Sequence, residues 1–362
     1  MMLEFEVEEK DGRARTGAMT VNGRKVNTPL FMPVATSGDV KTLISSDLKS
    51  LGVQALITNA YHLLMRPGIE IIEEHGGLHE FMNWDGVIFT DSGGFQMIRK
   101  GFDKKVDKKG VHFKSEINGK ELFISPEEDI EIQKRLGSDV AMCLDYCPSY
   151  PADQDELEMS VDRTTSWAER CRNVDGDIFA ISQGGTDPTS RERSCLELSE
   201  IDFQGYALGG LSIGEPARDM YRMTEIADSV FPEDRPRYLM GLGSPVDILE
   251  SIKRGVDIFD SAYPTRNARH GTVFTSRGKI NVEKGRYRRD KGPLDDSCGC
   301  EICENYSRAY INHLSRANEI TWMKMTTIHN LYFILKMMEE ARASIARGEF
   351  EDYLTEFKNN YG

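Results

Sequence analysis

Short apolar segments of strand length recur eight times along the chain, with little alternation between apolar and polar positions. They are Leu30–Val34, Ala55–Thr58, Val87–Thr90, Val140–Leu144, Ile178–Ile181, Tyr206–Gly209, Tyr238–Gly241 and Val256–Phe259. Continuous apolar runs are typical of parallel strands that are covered on both faces. Segments with helix signals separate several of them. We therefore predict an α/β fold, a (β/α)₈ TIM barrel, with a doubly wound open sheet as the main alternative.

Two of the intervening segments carry clear helix boundaries. Ser125-Pro126-Glu127-Glu128 combines an N-cap serine, a proline at the first helical position and a capping-box glutamate. The helix that follows is predicted to end at Gly137, directly before the fourth strand. Ser244-Pro245 begins another helix, which is predicted to stop at Gly255.

One segment between the third and fourth strands departs from the barrel pattern. From Lys104 to Ser125 polar and apolar residues alternate, and Asn118-Gly119 is a typical turn pair. We predict a small β-hairpin inserted after the third strand.

A second departure lies near the C-terminus. A basic, cysteine-rich stretch from Arg277 to about Arg316 precedes a long helix through Ile345, for which Gly348 is the predicted stop. The chain has no internal repeat and no flexible linker. We therefore predict one barrel domain over residues 1–362, with an insert at about 277–330 packed on it.

Composition narrows the class of protein. The chain has 362 residues, of which 39% are hydrophobic and 29% charged, so it can form a large core and is neither a small disulfide-stapled fold nor disordered. No run of 18 apolar residues occurs and the start is acidic, so we expect no membrane span and no export signal. Seven cysteines, three of them within six residues, favour metal binding in the reducing cytoplasm over disulfides.

The charge is unevenly distributed. The whole chain carries −14, but Ser261–Gly292 has nine basic residues against two acidic ones, a net charge of +7. A basic region on an otherwise acidic protein indicates that a polyanion docks there. The alternative is a solvated loop on which charges cluster by chance.

Polar residues follow the predicted strands, where a barrel of this kind carries its chemistry. Asp91, Asp145 and Asp260 end the third, fourth and eighth strands. Each alone fits a helix cap, but three converging carboxylates indicate function. A pair of aspartates suits retaining glycosyl transfer, in which one attacks an anomeric carbon and the other handles the proton of the leaving group.

Glycines and flat or flexible apolar residues also stand at strand ends. Gln183-Gly184-Gly185 and Gly209-Gly210 allow a flat ligand to approach the backbone closely. Phe95 and Met240 are candidates to stack on an aromatic ring, and ordinary core packing is the alternative for both.

The cysteine cluster has the spacing of a metal site. Cys298-x-Cys300-x-x-Cys303 supplies three thiolates, and either His329 or His313 completes a tetrahedral Cys₃His set. Four protein ligands leave no open position, so we predict one structural zinc per chain that holds the insert against the C-terminal helix.

Together these strings resemble the tRNA-guanine transglycosylases of the bacterial type. The strings that carry the resemblance are Thr90-Asp91-Ser92-Gly93-Gly94-Phe95-Gln96, Gln183-Gly184-Gly185, Gly209-Gly210-Leu211-Ser212-Ile213-Gly214-Glu215, Phe259-Asp260-Ser261-Ala262-Tyr263-Pro264-Thr265-Arg266 and the three cysteines with His329. The resemblance favours His329 as the fourth zinc ligand. It implies an enzyme that exchanges guanine at wobble position 34 of tRNAs with GUN anticodons (Asp, Asn, His, Tyr) for a 7-substituted 7-deazaguanine. It also implies a homodimer.

The resemblance assigns roles residue by residue. Asp260 is implied as the nucleophile on C1′ of the ribose, with Asp91 as the general acid and base. The residues implied to bind the base or support its site are Asn59, Ser92, Phe95, Asp145, Gln183, Gly210, Leu211 and Met240. Those implied to contact RNA are Thr265, Arg266 and Arg269. Such an enzyme extrudes its target base before it acts.

Two positions depart from the family pattern. Tyr146 stands where many bacterial members have a glutamate that reads the substrate, so the incoming base is open. Ile213 stands where the animal enzymes have the glycine that admits queuine. We therefore expect 7-aminomethyl-7-deazaguanine first, 7-cyano-7-deazaguanine second and queuine last.

Three other functions account for part of the pattern. A barrel glycosidase or nucleoside hydrolase would use the same aspartates but leaves the cysteines and the basic segment unexplained. A transglycosylase acting on DNA shares the chemistry, although the context of Thr265 and Arg266 favours tRNA. A non-catalytic partner subunit would not need both Asp91 and Asp260.

Overall fold

The computed structural model describes residues 3–100, 102–115 and 117–361. Its first element of structure is a three-stranded antiparallel sheet. Its strands are β1 (Glu4–Asp11), β2 (Ala14–Val21) and β3 (Arg24–Thr28). This sheet was not predicted from the sequence. The outward residues of β1 are mostly charged, and only β2 is buried along its length.

Eight parallel strands form the predicted barrel, which is confirmed. They are β4 (Leu30–Pro33), β5 (Ala55–Asn59), β6 (Val87–Asp91), β10 (Val140–Met142), β11 (Ile178–Ser182), β12 (Gly205–Leu208), β13 (Arg237–Leu239) and β14 (Ile258–Ser261). Between β6 and β10 the chain forms a separate inserted sheet of β7 (Phe102–Asp107), β8 (Gly110–Lys114) and β9 (Glu121–Ile124). Neighbours pair in parallel in chain order. The Ala35 N–H lies 2.7 Å from the Ile57 carbonyl oxygen and joins β4 to β5, where the ring closes.

The insertion after the third barrel strand is larger than predicted. β8 and β9 pair antiparallel around the predicted Asn118-Gly119 turn, in which Gly119 has a φ of +69°. β7 adds a third strand on the other side of β8. The predicted hairpin is therefore corrected to a three-stranded sheet. The alternation that marked β8 and β9 is interrupted in β7, whose pairing with β8 shifts register between Phe102 and Lys105.

The N-terminal sheet covers one end of the barrel. Met19, Val21 and Val26 are buried in the same apolar cluster as the inward residues of the barrel strands. The guanidinium of Arg15 on β2 donates to both carboxylate oxygens of Asp257, at 2.9 and 2.6 Å, just before β14. This sheet therefore closes the end at which the strands begin, and the opposite end carries the candidate site.

Helices surround the barrel, and they include those predicted from helix-capping residues between the strands. They are α1 (Ser45–Ser50), α2 (Ala60–Met65), α3 (Ile69–Glu74), α4 (Leu78–Met82), α5 (Gly94–Lys100), α6 (Pro126–Arg135), α7 (Gln154–Cys171), α8 (Pro188–Ile201), α9 (Ala217–Val230) and α10 (Pro245–Ile252). The predicted start of α6 is confirmed, because the Ser125 hydroxyl oxygen accepts from the Glu128 N–H at 3.2 Å.

The C-terminal third adds a small hairpin and further helices. In order these are α11 (Tyr263–Arg269), β15 (Thr272–Thr275), β16 (Gly278–Asn281), a 3₁₀ turn at Gly285–Arg289, α12 (Glu301–Asn305), α13 (Arg308–Arg316), α14 (Thr321–Arg347) and α15 (Phe350–Tyr361). The long predicted helix is α14, and Gly348 ends it with a φ of +68° as expected. Across the residues that the structure describes, none of the helices has the length and apolar character needed to span a bilayer.

Candidate active site and metal cluster

Three carboxylates meet at the carboxyl end of the barrel. Asp91 is the last residue of β6, Asp260 lies in β14, and Asp145 follows β10 in the next loop. Burial, and then the nearby charges of Asp145 and Asp260, raise the pKa of Asp91 to about 7. Burial also raises the pKa of Asp145 to about 6 and that of Asp260 above its usual range. A carboxyl group whose pKa lies near 7, as that of Asp91 does, is suited to acid-base chemistry near neutral pH.

Asp260 is held through one of its two oxygens. Its Oδ1 accepts from the Tyr238 hydroxyl at 2.6 Å and from the Gly241 N–H at 2.8 Å. Its Oδ2 has no hydrogen-bond partner among the described residues. The carboxylate is therefore fixed in orientation while one oxygen remains available to a ligand.

Tyr238 was not predicted as a site residue. It lies on β13 with no exposed surface, inside the barrel. A tyrosine in an apolar strand is ordinary in sequence, and the only available signal was its place two residues before Met240. Its contact with Asp260 depends on the pairing of β13 with β14.

Asp91 is paired with an amide from the neighbouring strand. The Asn59 Nδ2 donates to Asp91 Oδ2 at 2.9 Å, and Asn59 Oδ1 caps α2 by accepting from the His62 N–H at 3.1 Å. Ser92 is buried, and its hydroxyl oxygen accepts from the Gly94 N–H at 3.1 Å. Asn59 therefore touches a site carboxylate directly, whereas Ser92 shapes the turn that follows it.

Asp145 and Gln183 form a buried polar pair beside the carboxylates. Gln183 Nε2 donates to Asp145 Oδ2 at 2.5 Å. Gln183 Oε1 is buried without a hydrogen-bond partner among the described residues. A buried acceptor with no partner is rare in folded proteins and suits a donor supplied by a ligand.

Two of the glycines predicted to approach a ligand, Gly209 and Gly210, pack directly on the Gln183 amide. A Cβ on Gly210 would lie 2.5 Å from Gln183 Oε1, so a larger residue would displace the Gln183 amide. Gly210 also has a φ of +67°, a backbone conformation that strains any residue with a Cβ. Leu211 is buried beside it. Phe95 is 37% exposed at the start of α5, and Met240 is half-buried against the barrel interior.

The two positions that depart from the family pattern lie in loops of this end. Arg163 stands over the Tyr146 ring, 5.0 Å from its centroid. Ile213 is 37% exposed. Its N–H donates to Glu215 Oε2 at 2.9 Å, and the Gly214 N–H donates to the same oxygen at 3.1 Å.

The three residues proposed to contact RNA differ in exposure. Arg266 is exposed and Arg269 is half-buried on α11. Thr265 is 2% exposed and its hydroxyl donates to the Ala262 carbonyl at 3.2 Å. Its position suits stabilising α11 rather than touching a polymer.

The basic segment presents its charge to solvent. Eight of its nine basic side chains are exposed, and Arg269 is half-buried. None of the nine forms an ion pair with a carboxylate in the part of the chain that the structure describes. Its positive charge is therefore not neutralised locally.

The predicted cysteines and His329 come together as one cluster. His329 Nδ1 lies 3.6, 3.5 and 3.3 Å from the sulfurs of Cys298, Cys300 and Cys303. All four ligand atoms lie within 4.8 Å of one another. His329 Nε2 is 2.7 Å from the Phe274 carbonyl oxygen, which accepts its proton and leaves Nδ1 for a metal.

His313 is excluded as the fourth ligand. It is exposed on α13 and is not part of the cluster. Three thiolates and one imidazole in mutual contact can hold a metal ion, and the set leaves no position for substrate.

A family model described as Queuine tRNA-ribosyltransferase matches residues 10–362. The chain belongs to this family. A queuine tRNA-ribosyltransferase of Bacillus velezensis is 47% identical over 364 residues, which covers 99% of this chain and 96% of the relative. Proteins of the same name from Fusobacterium nucleatum and Pelotomaculum thermopropionicum are 46% and 47% identical over 367 residues each. They cover 99% and 100% of this chain, and the match spans 98% and 99% of their own lengths.

As a queuine tRNA-ribosyltransferase family member, the chain is a pentosyltransferase. This confirms the resemblance seen in the sequence motifs.

Proposed function

We propose that this enzyme exchanges guanine at wobble position 34 of tRNA for a 7-substituted 7-deazaguanine through a covalent ribosyl-aspartate intermediate on Asp260. The observation that carries this proposal is the Asp260 carboxylate, which is oriented through Oδ1 and has Oδ2 available. Two displacements at C1′ restore the original configuration, as base exchange in a nucleoside requires.

In the first displacement, Asp260 Oδ2 attacks C1′ and the bond between C1′ and N9 of guanine breaks. Asp91, with a pKa near 7, gives its proton to the departing base. A group whose pKa lies near the working pH serves well both as acid and as base.

The second displacement reverses these roles. Asp91 takes the N9 proton of the incoming base, N9 bonds to C1′, and the bond between Asp260 and C1′ breaks. Protons and electrons balance without any further reactant.

We propose that Asp145 and Gln183 read the polar edge of the base. The unpartnered Gln183 Oε1 suits a ring or amino N–H, and a carboxylate at Asp145 accepts from another. Gly210 and Leu211 supply backbone groups, while Phe95 and Met240 stack on the faces of the ring.

For the incoming base, we propose 7-aminomethyl-7-deazaguanine, ahead of the 7-cyano base and queuine. The branched Ile213 side chain, in a loop that Glu215 holds by backbone hydrogen bonds, supports a small substituent. Competition of each base against labelled guanine tests this order. Preferred incorporation of queuine would overturn it.

We propose that the basic segment receives the anticodon arm of tRNAs with GUN anticodons (Asp, Asn, His, Tyr), through Arg266 and Arg269 among others. Exposed basic side chains without acidic partners support a phosphate contact. The proposal includes a cytoplasmic location for the enzyme, where it would meet these tRNAs.

We further propose that the Cys₃His cluster holds one structural zinc ion. Zinc would tie the insert, residues 277–330, to α14 and take no part in the reaction. The donor set and the carbonyl that orients His329 support zinc.

A homodimer is also proposed, and an exposed apolar face supports it. Ile44 is 66% and Ile320 78% exposed, and the exposed Tyr306 and Tyr310 rings stack 5.6 Å apart. An ion pair of 2.8 Å between Lys324 and Asp47 links the start of α14 to α1 on this face. Sedimentation of wild type and of Tyr310→Asp tests the dimer: we expect a dimeric wild type and a variant shifted towards monomer. A wild type that sediments as a monomer would contradict the proposal.

The decisive test is incorporation of labelled guanine into unfractionated tRNA by wild type and by Asp260→Asn, with trapping of a protein–RNA adduct under denaturing conditions. We expect exchange and adduct in wild type and neither in the variant. Exchange by Asp260→Asn would refute the assignment of Asp260 as the nucleophile. Incorporation of guanine into DNA but not into tRNA would refute tRNA as the substrate.

A further inference from the structure

One arginine lies buried behind the loops that are proposed to bind the base. Arg191, on the second turn of α8, has no exposed surface. Among the described residues no carboxylate lies within ion-pair distance of it. A buried cation without a counter-ion costs free energy unless its hydrogen bonds offset the loss of water.

The guanidinium instead donates to uncharged oxygens. Nη1 reaches the Ser182 carbonyl at 2.7 Å and the Ser182 hydroxyl at 3.0 Å. Nη2 reaches the Gly185 carbonyl at 2.9 Å and the Gly209 carbonyl at 2.8 Å. The arginine fork therefore joins two loops, one after β11 and one after β12.

These oxygens bracket the residues that read the base in our proposal. Gln183 lies between Ser182 and Gly185, and Gly209 directly precedes Gly210. A Cβ on Gly209 would lie 2.4 Å from Gln183 Nε2, so the two loops are in close contact. A small displacement of either loop would move the amide of Gln183 against the backbone of Gly210.

The rest of α8 supports the same loop. The Ser194 hydroxyl oxygen accepts from the Gln183 N–H at 3.0 Å. A Cβ on Gly184 would lie 2.7 Å from the Arg191 backbone nitrogen, so the loop packs tightly on the helix. The Arg191 side chain, in addition, donates across to the Gly209 carbonyl in the loop after β12.

We propose that Arg191 is a positioning residue that sets the distance between the two base-reading loops, an inference that rests on the proposed function. It touches neither substrate nor reacting atoms. It acts through the carbonyls of Gly185 and Gly209, which share Nη2, while Nη1 anchors the planar guanidinium at Ser182.

The test compares Arg191→Lys with Arg342→Lys. Lysine keeps the charge of Arg191, but its single nitrogen cannot make the Nη1 bonds to Ser182 and the Nη2 bonds to Gly185 and Gly209 together. Arg342 is a half-buried arginine that serves as a control for location, because its Nη1 donates to the Pro29 carbonyl at 2.7 Å just before β4, at the opposite end of the barrel. The readouts are the dissociation constant for free guanine by equilibrium dialysis, KM for tRNA in exchange, and the melting temperature.

For Arg191→Lys we expect guanine affinity to fall by about tenfold or more, because displaced loops should cost at least one hydrogen bond to the base. KM for tRNA should change little. Arg342→Lys loses the single hydrogen bond to Pro29, so it should lower the melting temperature by less and leave guanine affinity unchanged.

Equal guanine affinity in wild type and Arg191→Lys would overturn the positioning role, as would an equal loss of affinity in Arg342→Lys. Exchange by the wild type is measured in parallel. A wild type that binds guanine but incorporates none into tRNA would refute the proposed function, while the binding comparison still decides the role of Arg191.

Discussion

Tyr238→Phe removes one of the two hydrogen bonds that orient Asp260. Tyr238 Oη donates to Asp260 Oδ1 at 2.6 Å, and phenylalanine fills the same buried space without the hydroxyl. This hydrogen bond and that of the Gly241 N–H lower the pKa of Asp260, against the burial that raises it. Loss of the hydroxyl therefore raises that pKa further.

The size of the effect follows from the type of hydrogen bond. A hydrogen bond to a charged group contributes about 1.5–3 kcal/mol, which corresponds to a loss of about 10- to 100-fold in the ionised fraction at acidic pH. Because Asp260 attacks as the carboxylate, kcat/KM should fall by that factor on the acidic limb. The limb should move to higher pH, with a smaller loss at alkaline pH.

The assay is guanine exchange into tRNA as a function of pH, with Tyr206→Phe as the control. Tyr206 is a buried tyrosine on β12 whose hydroxyl accepts from the Phe203 N–H at 3.1 Å. Its loss leaves a buried N–H without a partner and should lower stability by about 1–3 kcal/mol without moving the acidic limb. An unmoved limb in Tyr238→Phe, or an equal shift in Tyr206→Phe, would refute the role given to Tyr238.

Three further predictions concern other parts of the molecule. Asp91→Asn should lower the single-turnover rate of guanine exchange about 10²- to 10⁴-fold and abolish the pH dependence near 7, because it removes the general acid and base. A variant with the wild-type rate would exclude Asp91 as the general acid and base. Cys303→Ser should lower bound zinc, measured by metal analysis, together with the melting temperature; full zinc content would show that the cluster is not the site. His79 has a raised pKa, from its hydrogen bonds to Asp139 and to the Trp84 carbonyl, so its contribution to the free energy of unfolding is full below about pH 6.5 and is lost as pH rises through its folded pKa. In urea titrations the advantage of wild type over His79→Gln should therefore shrink from pH 6 to pH 8, and a constant difference would contradict this.

Several features of the protein could be predicted from residues next to one another in sequence. A parallel strand buried on both faces is a continuous apolar run, so all eight barrel strands were visible. Because parallel strands end at one edge, the aspartates after them could be expected to converge, as Asp91, Asp145 and Asp260 do. The three cysteines lie within six residues, so their spacing alone indicated a metal cluster.

Other features depended on contacts between residues far apart in sequence. The N-terminal sheet caps the barrel through buried apolar residues and the contact of Arg15 with Asp257, and the charged pattern of β1 gave no sign of either. His329 and His313 are equivalent in sequence, and only the packing of α14 brings one of them to the cysteines.

Tyr238 and Arg191 illustrate the same limit within the candidate site. A tyrosine in a strand and an arginine on a helix are common, and neither has a local signature. Their partners, Asp260 and the Gly209 carbonyl, come from neighbouring strands about twenty residues away. Sequence alone thus determined the barrel, its carboxylates and the cysteine cluster through local periodicity and spacing, whereas the histidine of that cluster and the groups that orient the carboxylates were decided by packing, strand pairing and burial in the folded chain.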